Sequence, residues 1–131
     1  MYSDQKENLL NIGYFRLARS LSLQSLHRVQ VGAVVAKSKP ISASCNIIKT
    51  HPKYANPYGS YIGSLHAEIR AIILSGQSLK GASIFVYREL KSGVPALARP
   101  CNLCMTVIEE SGIKKVYYTT NKYPYYRMER I

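Results

Sequence analysis

The sequence has no tryptophan, two phenylalanines and three cysteines: Cys45, Cys101 and Cys104. An odd, low cysteine count excludes a disulfide framework and points the thiols towards metal binding or a reduced core. Acidic side chains are scarce, with seven Asp and Glu against 18 Lys and Arg and a formal net charge of +11. That balance suits anionic partners such as phosphates, nucleotides or polynucleotides. No apolar run reaches the about 18 residues of a membrane-spanning helix, so no membrane partner is expected. The segment Met1 to Glu7 is polar and carries acids. It is unlike a secretory or transit peptide, which makes a cytoplasmic location the expectation. No internal repeat or low-complexity tract is visible. At 131 residues, 47% of them apolar, the chain has material for one packed core. A single domain over 1–131 is expected.

Apolar residues at helical spacing predict one helix over 4–22, with Asp4 as its cap and Glu7 three positions on. Gly13 is the residue least suited to its interior. Val29 to Ala36 and Ile41 to Ile48 read as two strands of an antiparallel hairpin around the turn 37–40. Residues 49–63, with two prolines and two glycines, read as a loop. Ser64 is placed to cap a second helix that ends at Gly76. Ala82 to Tyr87 is a strand, and 88–99 a loop. Pro100 opens a third helix that Gly112 closes. Val116 to Thr120 and Tyr125 to Ile131 form the last two strands. The expected order is α-β-β-α-β-α-β-β, an α/β domain with one mixed five-stranded sheet and helices packed on it.

Two short motifs carry chemistry: His66-Ala67-Glu68, and Pro100-Cys101-Asn102-Leu103-Cys104. Cys101 and Cys104 are three apart at a predicted helix start, where the helix dipole favours thiolates. With His66 they make three candidate zinc ligands, and a zinc with three protein ligands keeps an open position for water. Two thiolates and an imidazole leave Zn²⁺ with no net formal charge and only modest power to acidify water, so a nearby base is needed. Glu68 is that base. His66 and Glu68 are two apart, which on a regular helix points them away from each other. Both reach one metal only from the open first turn. A lone C-x-x-C is often a structural zinc knuckle or a redox pair, but the second such pair that a four-cysteine knuckle needs is absent. Cys45 falls inside a predicted strand and reads as a buried core thiol.

These motifs, with the flanking residues Leu65 to Ile72 and Arg99, resemble the zinc-dependent cytidine and deoxycytidylate deaminase superfamily. The order of elements extends the resemblance over nearly the whole chain. The stretches Asn46 to Tyr58 and Ile113 to Thr119 look like small deaminases encoded by bacteriophages. The resemblance implies a three-layer α/β/α, cytidine deaminase-like catalytic domain with one Zn²⁺ per chain held by His66, Cys101 and Cys104, and Glu68 as the proton shuttle. It implies that the Ala67 N–H binds the pyrimidine O2, that the Arg99 carbonyl accepts from the exocyclic amine, and that Asn46 meets a sugar hydroxyl. It also implies a homo-oligomer, a dimer or tetramer, with loop 88–99 and the tyrosine-rich end as candidate contacts. Two departures stand out. Ile48 occupies the place of an acidic sugar-binding residue, and loop 88–99 replaces a short connection.

The expected activity is hydrolytic deamination of cytosine in a small nucleoside or nucleotide (cytidine, deoxycytidine or dCMP), giving the uracil compound and ammonia. Glu68 takes a proton from the attacking water, passes it to N3 and assists departure of the amine from C4. The alternative is a deaminase of cytosine or adenine within RNA or single-stranded DNA. The net charge, the 11 tyrosines and the basic end (Lys114, Lys115, Lys122, Arg127, Arg130) speak for it, since aromatics beside cations stack bases. The eleven residues after Thr120 fit a hairpin ending, as in the free-cytidine branch, rather than a long terminal helix. His27 and His51 receive no role.

Overall fold

The computed structural model describes residues 3–47 and 66–131. Helices α1 (Ser3–Leu10) and α2 (Phe15–Ser22) precede strands β1 (Val31–Ala36) and β2 (Pro40–Cys45). Helix α3 (Ala67–Ser75), strand β3 (Ser83–Arg88), helix α4 (Asn102–Glu110) and strands β4 (Lys115–Thr119) and β5 (Tyr126–Arg130) follow. The sheet runs β2-β1-β3-β4-β5. Strand β1 is antiparallel to β2 and β3, β3 is parallel to β4, and β4 is antiparallel to β5. The parallel pair β3–β4 needs a crossover on one face, and α4 lies within it.

Alternation along the strands explains the layers. Ala33 and Val35 of β1, with Ile84 and Val86 of β3, pack with Ala67 and Ala71 of α3 and Ile108 of α4. Their neighbours Val34, Phe85 and Tyr87 pack on the opposite face with Leu9, Leu10, Phe15 and Ala18 of the first two helices. Both faces of the sheet are therefore buried under helices, which is why β1 and β3 read as continuous apolar runs. The mixed five-stranded sheet and α/β/α layering agree with the sequence reading.

The single helix expected over 4–22 is instead two helices, so the described residues hold four helices rather than the three expected. Gly13 adopts φ +49. A Cβ built there would lie 2.2 Å from Phe85 Cε2. The turn brings Tyr14 and Phe15 edge-on to the Phe85 ring, each with centroids 5.6 Å away. Tertiary packing thus overrides helical periodicity. Asp4 lies inside the first turn of α1 and accepts from the Gln5 N–H at 3.0 Å, rather than capping the helix from outside. Glu7 pairs with Arg16, not with a cap. At Gly32 the backbones of β1 and α2 nearly touch, since a Cβ there would be 1.9 Å from the Ala18 carbonyl oxygen.

Candidate metal centre and active-site cavity

Each motif starts a helix, and that is what lets its ligands converge. His66 is the residue before α3, extended at φ −68 and ψ 149. Glu68 lies in the first turn. The two-residue spacing that opposes side chains on a regular helix therefore does not apply, because His66 is not helical. Ser64, the expected cap, lies outside the described residues. The helix ends as expected at Gly76, in the left-handed region at φ 63. Likewise Cys101 is the extended residue before α4, at φ −67 and ψ 170. Pro100 thus stands ahead of the helix instead of at its first position, and Cys104 points back from within the first turn.

His66 Nδ1 lies 3.1 Å from Cys104 Sγ and 3.6 Å from Cys101 Sγ. All three donor atoms fall within 4.8 Å of one another. Donors on a tetrahedral zinc stand roughly 3.5–3.8 Å apart, so the set fits that ion, with nitrogen and sulfur donors suited to it. Cys104 is fully buried and Cys101 reaches the cavity from its exposed side. Without metal the two thiols share protons. Hydrogen bonds from Cys104 and then His66 bring the Cys101 thiol down to about 4. The hydrogen bond to Cys101, and then burial, push the Cys104 thiol up. The His66 ring is raised, chiefly by its hydrogen bond with Cys101. A metal ion displaces these protons as it binds. Cys45 stays apart from the set, buried at 7% exposure with the Arg70 guanidinium 3.8 Å from its sulfur.

Glu68 is 5% exposed. Burial raises its carboxyl above the usual value; a backbone hydrogen bond, the His66 charge and a hydrogen bond with Cys104 pull the other way. It faces a cavity of about 420 Å³ that His66, Cys101, Ala67, Asn46 and Arg99 also line. That volume lies in the small-molecule range. Ala67 is at the first helical position, where backbone N–H groups lack an intrahelical acceptor. The Asn46 amide is largely engaged: Oδ1 accepts from the Val31 N–H at 3.0 Å and Nδ2 donates to the Val29 carbonyl at 2.6 Å. Ile48 lies outside the described residues.

Arg99 ties its side chain to the last strand. Its Nε and an Nη donate to the two oxygens of Glu129 at 2.7 and 3.2 Å, and Tyr118 Oη donates to the same carboxylate at 2.7 Å. Arg99 also lines the cavity. Loop 88–99 is not irregular. It turns at Gly93 and pairs Glu89 with Pro95. It then docks on β4 through Ala98 N–H to Thr119 carbonyl at 2.9 Å and Thr119 Oγ1 to Ala96 carbonyl at 2.7 Å. That route carries Leu97, Ala98 and Arg99 along the cavity wall to Cys101. His27, given no role from sequence, also lines the cavity. Nothing in its local sequence marks it; the fold puts it there.

Comparison with known proteins agrees with this geometry. The apo structure of the dCMP deaminase from cyanophage S-TIM5 is 27% identical, with a TM-score of 0.59 over 95% of this chain and 89% of that one. The same enzyme with dCMP and dUMP gives 24% identity and a TM-score of 0.56, over 92% and 84%. A diaminohydroxyphosphoribosylaminopyrimidine deaminase/5-amino-6-(5-phosphoribosylamino)uracil reductase from Thermotoga maritima is 29% identical, with a TM-score of 0.52, over 83% of this chain and 29% of that one. A comparison with curated proteins returned no match. The model of the cytidine and deoxycytidylate deaminase zinc-binding region matches residues 11–120, and the chain belongs to that family of hydrolytic enzymes.

Proposed function

We propose that this protein hydrolyses the exocyclic amine of cytosine in a small nucleoside or nucleotide, releasing ammonia and the uracil compound. The observation that carries the reading is a cluster of three metal donors, two of which (His66 and Cys101) line one cavity together with a buried carboxylate that is not among the donors. The dCMP deaminase activity of the 27% identical cyanophage enzyme supports it.

His66, Cys101 and Cys104 would hold one zinc ion, which would supply Lewis-acid activation of the attacking water, with Glu68 as the base. Glu68 accepts a proton from the attacking water and delivers it to N3 of the base; it then takes the proton of the new C4 hydroxyl and gives it to the amine, which leaves as ammonia as the C4 carbonyl forms. A C4–O bond forms and the C4–N bond breaks. Burial raises the Glu68 carboxyl above its ordinary value, the direction that favours holding a proton between its acceptance and its return. The Ala67 N–H holds the pyrimidine O2, and the Arg99 carbonyl accepts from the exocyclic amine. Asn46 keeps one amide hydrogen for a sugar hydroxyl.

Aromatic residues lend little to the alternative of a polynucleotide substrate. Of the described tyrosines, Tyr14, Tyr117, Tyr125 and Tyr126 pack against the Phe15 core, Tyr87 is buried and Tyr118 binds Glu129. Tyr123, at 74%, is the exposed one among them. The test is a turnover panel with zinc-loaded protein over cytidine, deoxycytidine, dCMP, adenosine and a cytosine oligonucleotide. A cytosine monomer should be the best substrate. Oligonucleotide turnover well above every monomer overturns the choice.

A further inference from the structure

A second cavity, of about 390 Å³, adjoins the first and shares His27, Val29 and Arg88 with it. The pairing of Val31 with Arg88 across β1 and β3 creates it. That register sets the residues before β1 beside those after β3, and so gathers Arg28, Arg88 and Lys91 around one recess.

Among the described residues, Arg28 and Lys91 have neither an ion-pair nor a side-chain hydrogen-bond partner. Arg88 reaches only the Leu97 carbonyl, at 3.4 Å. The one acid in the wall, Glu89, is already satisfied. Its Oε1 accepts from Arg19 Nε and from Tyr87 Oη, each at 2.8 Å, and pairs with Lys6 at 3.3 Å. Like charges gathered around a cavity repel one another, and an anion between them removes that cost. His27 adds a donor at the seam. Its Nδ1 accepts from the Val29 N–H at 3.0 Å, so in the neutral ring Nε2 carries the hydrogen.

We propose that this second cavity binds the 5′-phosphate of the substrate, so that the enzyme acts on a nucleoside monophosphate. The base lies over the metal donors in the first cavity and the phosphate among Arg28, Arg88 and Lys91 in the second. The inference rests on the deaminase reading above. One recess with three cations matches one phosphate group, which takes charge-assisted hydrogen bonds from each. A strand is held by cations spaced along a path, and its binding falls steeply with salt.

The test is the double variant Arg28→Gln/Lys91→Gln, whose exposed side chains have no partners to lose in the fold. Two quantities are measured for dCMP and deoxycytidine with zinc-loaded protein: kcat/KM, and the equilibrium dissociation constant by calorimetry. The wild type should favour dCMP in both, and the variant should lower the dCMP-to-deoxycytidine ratio about tenfold or more, the scale of losing one charge-assisted contact. A ratio that stays at the wild-type value, or a wild type without preference for dCMP, overturns the proposal. So does a cytosine oligonucleotide that binds more tightly than dCMP with a salt dependence of several phosphates. Should the wild type turn over neither compound, the deaminase reading fails, and the binding ratio alone still decides the phosphate site.

Discussion

Replacing Glu68 with glutamine separates its role as a base from a role in holding metal or fold. The side chain is 5% exposed and its carboxyl is raised by burial. Glutamine keeps the volume and a polar tip within reach of Cys104, but it cannot accept and return a proton. General acid–base catalysis contributes about 10²–10⁴ in rate, or roughly 2.7–5.4 kcal/mol at about 1.36 kcal/mol per decade. Glu68→Gln should therefore lower kcat/KM by at least about two orders of magnitude. Zinc content should stay at one per chain, because the three donors are untouched. Stability should not fall: the metal-free variant no longer buries a carboxylate, so it should melt at or above the wild-type temperature. The three readouts are steady-state turnover, elemental analysis and a thermal melt. Loss of zinc together with activity would make Glu68 a ligand, and a rate within tenfold of wild type would remove it from the chemistry.

Cys101→Ala and His66→Ala should each lose zinc on dialysis, and stoichiometric zinc in either variant would refute the ligand set. Gly32→Ala forces a Cβ to 1.9 Å from the backbone oxygen of Ala18; neither chain can yield cheaply, so the cost should reach about 3 kcal/mol or more by denaturant melt. Glu89→Gln tests the carboxylate network with a pH signature. Burial raises the Glu89 carboxyl, but Tyr87, Arg19 and Lys6 outweigh it and the net value lies below the ordinary 4.5. A depressed carboxyl adds stability that is fully present above the unfolded value and is lost as pH falls through the folded one. The variant should be less stable than wild type at pH 7, and the gap should close below 4.5. A gap that persists unchanged at about pH 2 would contradict the network, since both carboxyl states are then protonated.

Several features are local, and the sequence by itself determined them. Gly76 and Gly112 end helices because a left-handed residue is tolerated there. The short apolar runs of β1 and β3 read as strands from their own residues. The two motifs were legible as a zinc pattern because each sits at a helix start, where spacing alone says which side chains are near. What lay beyond it came from contacts between distant segments. The break between α1 and α2 depends on the Phe85 ring beneath Gly13, and nothing in residues 4–22 encodes that ring. His66 meets Cys101 and Cys104 across 35 and 38 positions, because α3 and α4 start at the same end of the sheet. Asn46 lines the cavity, yet its amide clamps the backbone of residues 29 and 31, which only the folded chain could show. The cationic recess of Arg28, Arg88 and Lys91 has no motif at all. It exists because the β1–β3 register sets Val31 opposite Arg88. The tertiary structure decided these because strand register and helix packing are collective. They are fixed by burying the apolar faces of the whole sheet at once, and charged side chains on the connecting segments are carried to wherever that packing puts them.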